Sequence, residues 1–143
     1  MQITLPNLVE VRDEIVALTP KLQKRVLLDM SQIAYDAMQA GAARHSKRGN
    51  LFASLYNRAI PNGREVGHDP QRAPHAPWVV FGARPHKIEP KKKKALRWVS
   101  GSSFVFAKFV NHPGYRGDDY MTRAADEAVR RMPEIVDKAI KQI

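Results

Sequence analysis

The chain has 143 residues, and its 24 Lys and Arg residues against 14 Asp and Glu residues give a formal net charge of +10. It contains no cysteine, which excludes disulfides, thiolate zinc sites and cysteine nucleophiles. The sequence shows neither a Sec-type signal nor an apolar stretch of the roughly 20 residues needed to span a membrane, so we expect no membrane partner. A chain of this length is expected to form a single domain, over residues 1–143.

The first 60 residues are predicted to be mainly helical. Residues 2–5 are expected to form a short strand or an arm. Apolar residues at three- and four-residue steps predict a first helix over residues 8–18. Thr19 and Pro20 then begin a second long helix, as N-cap and first helical residue, which runs to about Ala42. After a polar loop, two offset i, i+4 rows predict a shorter third helix over residues 51–60.

The next part of the chain, residues 61–118, is predicted to hold the strands and a basic loop. Short runs rich in Val, Phe and Trp predict four strands, at residues 65–67, 78–81, 95–99 and 104–110. The last two form an antiparallel hairpin through the turn at residues 100–103. The strand at 104–110 is apolar on both faces, so we expect it to be central and covered on both sides. We expect Trp78, Phe81 and Trp98 to pack in the core rather than to stack on bases.

The last part, residues 119–143, is predicted to be a C-terminal helix. Asp118 or Asp119 is the expected N-cap, the helix begins at Tyr120, and Pro133 causes a kink or a brief restart because it lacks a backbone donor. The predicted fold class is therefore α+β: a small antiparallel sheet of about four strands packed by two long N-terminal helices and a C-terminal helix.

Sequence patterns for catalysis are weak. The five histidines are His45, His68, His75, His86 and His112. Only His68 and His75, with Asp69 beside them, suggest a metal site, but they lack the helical spacing of a zincin and lie in a proline-rich stretch. The sequence has no nucleophile elbow and no phosphate-binding loop. We therefore predict no enzyme activity, no catalytic or metal-binding residues and no cofactor.

The charge excess is concentrated in the middle of the chain. Residues 41–100 carry thirteen basic and three acidic side chains, whereas both ends are nearly balanced. The strongest run faces a partner or DNA in our interpretation, and it comprises Arg84, Lys87, Lys91, Lys92, Lys93, Lys94 and Arg97. Such a run attracts a polyanion or an acidic protein surface in a salt-dependent way. The alternative is a merely solvated basic face, and the lysines alone do not separate DNA from an acidic protein.

An ordered series of landmarks from about His45 to Ala128 resembles a known family. The series comprises Gly-Asn-Leu-Phe-Ala-Ser-Leu (49–55), Val-Gly (66–67), His-Ala-Pro-Trp-Val-Val-Phe-Gly (75–82), Pro-His-Lys-Ile-Glu-Pro (85–90), Lys-Ala-Leu-Arg-Trp (94–98), Val-Asn-His-Pro-Gly (110–114) and Tyr-Met (120–121) before an Ala-rich helix. In this order they are similar to the small head–tail joining, or tail-completion, proteins of long-tailed bacteriophages. One departure is Ala83, where the family usually has Thr.

The resemblance implies a structural α+β protein without a catalytic centre. Such a protein completes the tail and joins it to the DNA-filled head as part of a neck ring. The implied partners are other phage tail and connector proteins, further copies in a homo-oligomeric ring, and genomic DNA touched non-specifically in the lumen. The implied location is the virion neck or tail, after assembly in the bacterial host cytoplasm. A tail terminator, a stand-alone basic nucleic-acid-binding protein and, third, a nuclease or other enzyme remain as alternatives.

Overall fold

The computed structural model describes residues 17–142, which form an α+β fold of five helices and six strands. In chain order these are α1 (Pro20–His45), α2 (Asn50–Ala53), β1 (Leu55–Ile60), β2 (Gly63–His68), α3 (Ala76–Phe81), β3 (His86–Ile88), β4 (Leu96–Ser100), β5 (Ser103–Ala107), β6 (Val110–His112), α4 (Tyr120–Arg130) and α5 (Met132–Lys141). The segment predicted as a strand or arm at residues 2–5 lies outside the described residues.

The described residues contain one long N-terminal helix, where the sequence predicted two. The first predicted helix falls on residues 8–18, of which only the last two are described, and these two form a turn. The second is α1, which begins at Pro20 as predicted and continues to His45 rather than Ala42. Thr19 is at the N-cap position in an extended conformation, but its side chain makes no capping hydrogen bond.

Helix α1 joins two apolar clusters. Near its start it packs on α5 through Leu22 and Val26, and Ile135 lies in the same cluster. Near its end Met38 and Ala42 pack with Leu51 and with side chains of α3 and α4. The stripe of apolar residues on α1 is therefore long enough to hold both clusters on one helix.

The predicted helix over residues 51–60 is wrong. Helix α2 ends at Ala53, and β1 follows it to Ile60, paired antiparallel with β2 so that Leu55 lies opposite His68. Burial falls along β1, from Leu55, which is buried, to Ile60, which is exposed at the end of the strand. The predicted strand at residues 65–67 is confirmed within β2.

The predicted sheet of four strands is also wrong. The six strands form three separate two-stranded antiparallel sheets, which pair β1 with β2, β3 with β6 and β4 with β5. Residues 78–81 belong to α3, which buries Ala76 and Val80 one helical turn apart and has a proline in its first turn. The predicted strand at 104–110 divides at Lys108, because β5 pairs with β4 whereas β6 returns to pair with β3.

The C-terminal part agrees with the sequence prediction. Asp119 is the N-cap of α4, and its carboxylate accepts hydrogen bonds from the backbone N–H and the hydroxyl of Thr122. Helix α4 ends at Arg130, and α5 restarts at Met132 with Pro133 in its first turn. A proline in the first turn loses no intrahelical hydrogen bond, which explains the restart.

Candidate functional site

The most unusual part of the structure is the segment of residues 84–112, here called the arm. It comprises β3, the lysine-rich loop, the β4–β5 hairpin and β6. None of its side chains is buried, and neither apolar cluster contains a residue from it. Strands β4 and β5 pack on each other and make no more than slight contact with other described helices and strands. The arm therefore projects from the packed part of the protein.

A close backbone contact connects the arm to the packed part. Ala83 and Tyr115 exchange two backbone hydrogen bonds of 2.8 Å. Gly82 has a positive φ of 82°, and a Cβ at this position would lie 2.3 Å from the carbonyl oxygen of Tyr115. Glycine is thus required at position 82 both by the backbone conformation and by the space. This contact fixes where the arm leaves the body of the protein.

One face of the β4–β5 hairpin is apolar and uncovered. Directly opposed residues of an antiparallel pair share a face, and the pairs Arg97–Phe106 and Val99–Phe104 form this one. Val99, Phe104 and Phe106 are 64%, 58% and 65% exposed. The predicted central strand, covered on both sides, is therefore wrong: in the described residues β5 has one neighbouring strand and an open face. Contiguous exposed apolar surface of this kind marks interaction sites.

Cations lie against two of the aromatic rings of the arm. The guanidinium of Arg97 lies 4.7 Å from the ring centroid of Phe104, and the Lys87 ammonium lies 4.4 Å from that of Phe109. Lys87 also forms an ion pair with Glu89 at 2.7 Å. The Arg97 contact holds positive charge on the apolar face itself.

All seven basic residues predicted to face a partner or DNA are exposed and lie in the arm. Arg84 precedes β3, Lys87 lies in β3, the four lysines at 91–94 form the loop before β4, and Arg97 lies in β4. The four loop lysines form no ion pair with any residue in the described range 17–142. The arm as a whole has eight basic residues and one acidic residue, so it accounts for most of the net charge.

The three aromatic residues that were predicted to be core residues are exposed instead. Trp78 and Phe81 are 58% and 56% exposed on the outer side of the short helix α3, and Trp98 is 41% exposed on the hairpin. The prediction was wrong for Trp78 and Phe81 because residues 78–81 were predicted to form a strand, whereas they lie in a helix. Two features indicated the helix. Pro77 suits the first turn of a helix, and Val80 lies one helical turn after Ala76.

His68, one of the two histidines considered and set aside as metal ligands, takes part in a chain of hydrogen bonds with buried residues. His68 lies 2.7 Å from the hydroxyl of Ser54 and 2.8 Å from that of Tyr120. The Ser54 hydroxyl also lies 2.7 Å from the carbonyl oxygen of Leu51, so the chain runs from this carbonyl through Ser54 and His68 to Tyr120. Burial lowers the pKa of His68 and raises the pKa of Tyr120 to about 12.

This chain of hydrogen bonds connects the end of α2, β2 and the start of α4. Ser54 is 2% exposed, so its hydroxyl is shielded from solvent. Asp69 accepts a backbone hydrogen bond from Gln71, and His75 is the N-cap of α3. Among residues 17–142, no group of three or more potential ligand side chains is placed to hold a metal ion.

A second polar cluster fixes the start of α4 to the end of α1. The Asp118 carboxylate accepts hydrogen bonds from His45 at 2.7 Å, from Arg44 at 3.2 Å and from Arg123. These partners, with the His45 hydrogen bond contributing most, hold the pKa of Asp118 well below its usual range. The ring of His45 also stacks on Tyr120, so the two polar clusters are adjacent.

Comparisons with known proteins add no candidate for this site. The chain matches no family model, no curated protein and no solved structure. Within the described residues, no helix is both long and apolar enough to cross a membrane.

Proposed function

We propose that this chain is a structural protein of a tailed bacteriophage, which completes the tail and joins it to the DNA-filled head as one protomer of a neck ring. The ordered landmarks from Gly49 to Met121, which are similar to those of head–tail joining proteins, support this role. The single structural observation that carries it is the arm: a segment without a buried side chain adds little to its own core and is suited to contacts with other molecules.

A neck ring must contact the tail, contact the connector above it and surround the DNA in transit. The packed part of the protein, built from α1, α4 and α5, would provide the rigid body of each protomer. The arm would extend from this body, and its basic residues, from Arg84 to Arg97, would face either the lumen or the rim of a neighbouring protein. No catalytic group is needed for such a role.

A stop codon early in this gene, in a phage that carries it, tests the proposal. Lysates are viewed by negative-stain electron microscopy, with a plasmid-borne wild-type copy as the control. We expect DNA-filled heads beside separate tails of finished length, because head and tail would each assemble without the joining step. Overlong or ragged tails would assign the protein to the terminator role instead. Normal, infectious particles would overturn the virion role.

A stand-alone nucleic-acid-binding protein is the second candidate. The observation that favours it is the exposure of seven basic side chains together with Trp78, Phe81 and Trp98 on the same part of the chain. A protein of this kind binds duplex DNA tightly as a free species, with an affinity that falls steeply as salt is raised. The two candidate functions predict different results, because a stand-alone nucleic-acid-binding protein would bind DNA without any virion partner.

A further inference from the structure

We propose that the β4–β5 hairpin docks an acidic segment of a different protein, one whose carboxylates alternate with apolar residues, rather than DNA or a second copy of this chain. The inference rests on the proposed function for its biological setting, since the partner would be another virion protein. The uncovered hairpin face, the charges around it and the unpaired strand edges point to such a partner.

The charge of the arm favours an acidic partner. Lys91, Lys92, Lys93 and Lys94 have no ion-pair partner in the described part of the chain, and Arg97 lies beside the apolar face. A partner that buried the face while leaving these cations uncompensated would lose binding energy through desolvation and repulsion. Carboxylates placed around an apolar centre satisfy both requirements.

A second copy of this chain is a poor source of those carboxylates. Two copies would each bring a formal charge of +10 to the contact. Most acidic side chains in the described range are already committed within the chain. Ion pairs engage Asp29, Glu65, Glu89, Asp118, Glu127, Glu134 and Asp137. A different molecule is therefore the better source of the complementary charge.

The details of the face favour a protein over a nucleic acid. Bases stack on open aromatic rings, but on this face Arg97 already lies against Phe104. Val99, directly opposite Phe104 on the hairpin, offers aliphatic surface that bases do not require. In addition, β4 and β5 pair only with each other in the described residues, so each has an outer edge with unpaired backbone groups. Such edges can accept a strand from a partner protein.

Binding of labelled probes, measured by fluorescence anisotropy with the full chain, tests the inference. The first probe is a ten-residue peptide of alternating Glu and Val, the second a ten-residue peptide with the same number of Glu residues and Gly in place of Val, and the third a 20-base-pair DNA duplex. At 300 mM salt we expect the Glu–Val peptide to bind at least tenfold more tightly than either of the others, because only that peptide can cover the apolar face.

Paired variants show which part of the arm is responsible. The double variant Phe104→Ser/Phe106→Ser is expected to lose the preference for Val over Gly, whereas replacing Lys91–Lys94 by Ser weakens both peptides. Ile140→Ser, which changes an exposed apolar residue of α5, is the matched control and should bind as the wild type does. Because all these side chains are exposed, circular dichroism should show unchanged folding in every variant.

Three results would overturn the inference. Equal binding of the two peptides would mean that the face takes no part. Tighter binding of the duplex, lost in the Phe104→Ser/Phe106→Ser variant, would identify the hairpin as a nucleic-acid surface. Self-association in sedimentation experiments that disappears in the same variant would identify a second copy as the occupant. None of these results depends on the phage experiment, so the docking inference and the neck role can fail separately.

Discussion

The Asp118 carboxylate accepts hydrogen bonds from three side chains on two different helices. It links His45, at the end of α1, to Arg123, in the first turns of α4, and it also accepts a hydrogen bond from Arg44. The carboxylate is partly shielded, with 22% of its side-chain surface exposed. Charge-assisted hydrogen bonds in such a setting are stronger than exposed surface pairs. Asp118 therefore fixes the position at which the chain enters α4 from the arm.

The lowered pKa of Asp118 predicts how stability depends on pH. Because the folded-state pKa lies below the unfolded value of roughly 3.9, the stabilisation is fully present above about pH 5 and is lost as the pH falls toward the folded-state pKa. Asp118→Asn should lower the free energy of unfolding by about 1–3 kcal/mol at pH 7. In urea titrations at pH 7, 5 and 3, the difference from wild type should shrink at pH 3.

The matched control for this prediction is Asp126→Asn. Asp126 is exposed on α4 and has no hydrogen bond or ion pair with the residues described, so its replacement should change stability by less than about 0.5 kcal/mol. A difference between wild type and Asp118→Asn that stays constant from pH 7 to pH 3 would show that the carboxylate charge is not the stabilising group.

At the scale of elements, local signals predicted some of the structure correctly. The turn at residues 100–103 correctly indicated the β4–β5 hairpin, where Ser100 pairs with Ser103 and Gly101 has a φ of 63°. Asp119 and Pro133 correctly marked the start of α4 and the restart at α5. These signals are local because a cap, a turn or a missing N–H acts within a few residues.

The errors came from patterns whose meaning depends on distant partners. The apolar character of Phe104 and Phe106 suggested burial, yet nothing in the described chain covers them. An apolar face looks the same in sequence whether its own chain or another molecule covers it. The division of residues 104–110 into β5 and β6 depended on pairing with β3, about twenty residues away in sequence. The basic run was recognised as a site candidate, but the apolar face beside it was assigned to the core.

The lysine side chains of the loop in the arm are expected to be dispensable for folding. Replacing Lys91–Lys94 by Ser should leave the thermal midpoint almost unchanged, because these side chains are exposed and make no ion pair in the described residues, and surface changes of this kind cost within about 0.5 kcal/mol. Removing four neighbouring like charges also relieves their mutual repulsion, which stabilises the fold slightly. Circular dichroism melts of the two proteins provide the measurement. A variant that fails to fold would show that these lysines are structural and would contradict the proposed docking role.

At the scale of the whole molecule, α1 is the element that unites the packed part. Its first half lies in the cluster that contains Ile135, and its second half lies in the cluster that contains Leu51. Helix α4 begins in one cluster and ends in the other, since Met121 belongs to the first and Ala128 to the second. Because both helices contribute to both clusters, one cluster cannot unfold without disrupting helices that the other cluster needs.

This arrangement predicts one cooperative unfolding transition for both clusters. Leu51→Ala and Ile135→Ala remove buried side chains, 1% and 5% exposed, from different clusters, and each should cost about 2–5 kcal/mol. Leu28→Ala, at an exposed position of α1, is the matched control and should cost far less. Chemical unfolding should show a single transition in every variant, and amide hydrogen exchange should rise in both clusters whichever leucine or isoleucine is replaced. A variant in which exchange rises in its own cluster alone would mean that α1 does not couple the two halves. The arm, which belongs to neither cluster, should exchange rapidly in all of them.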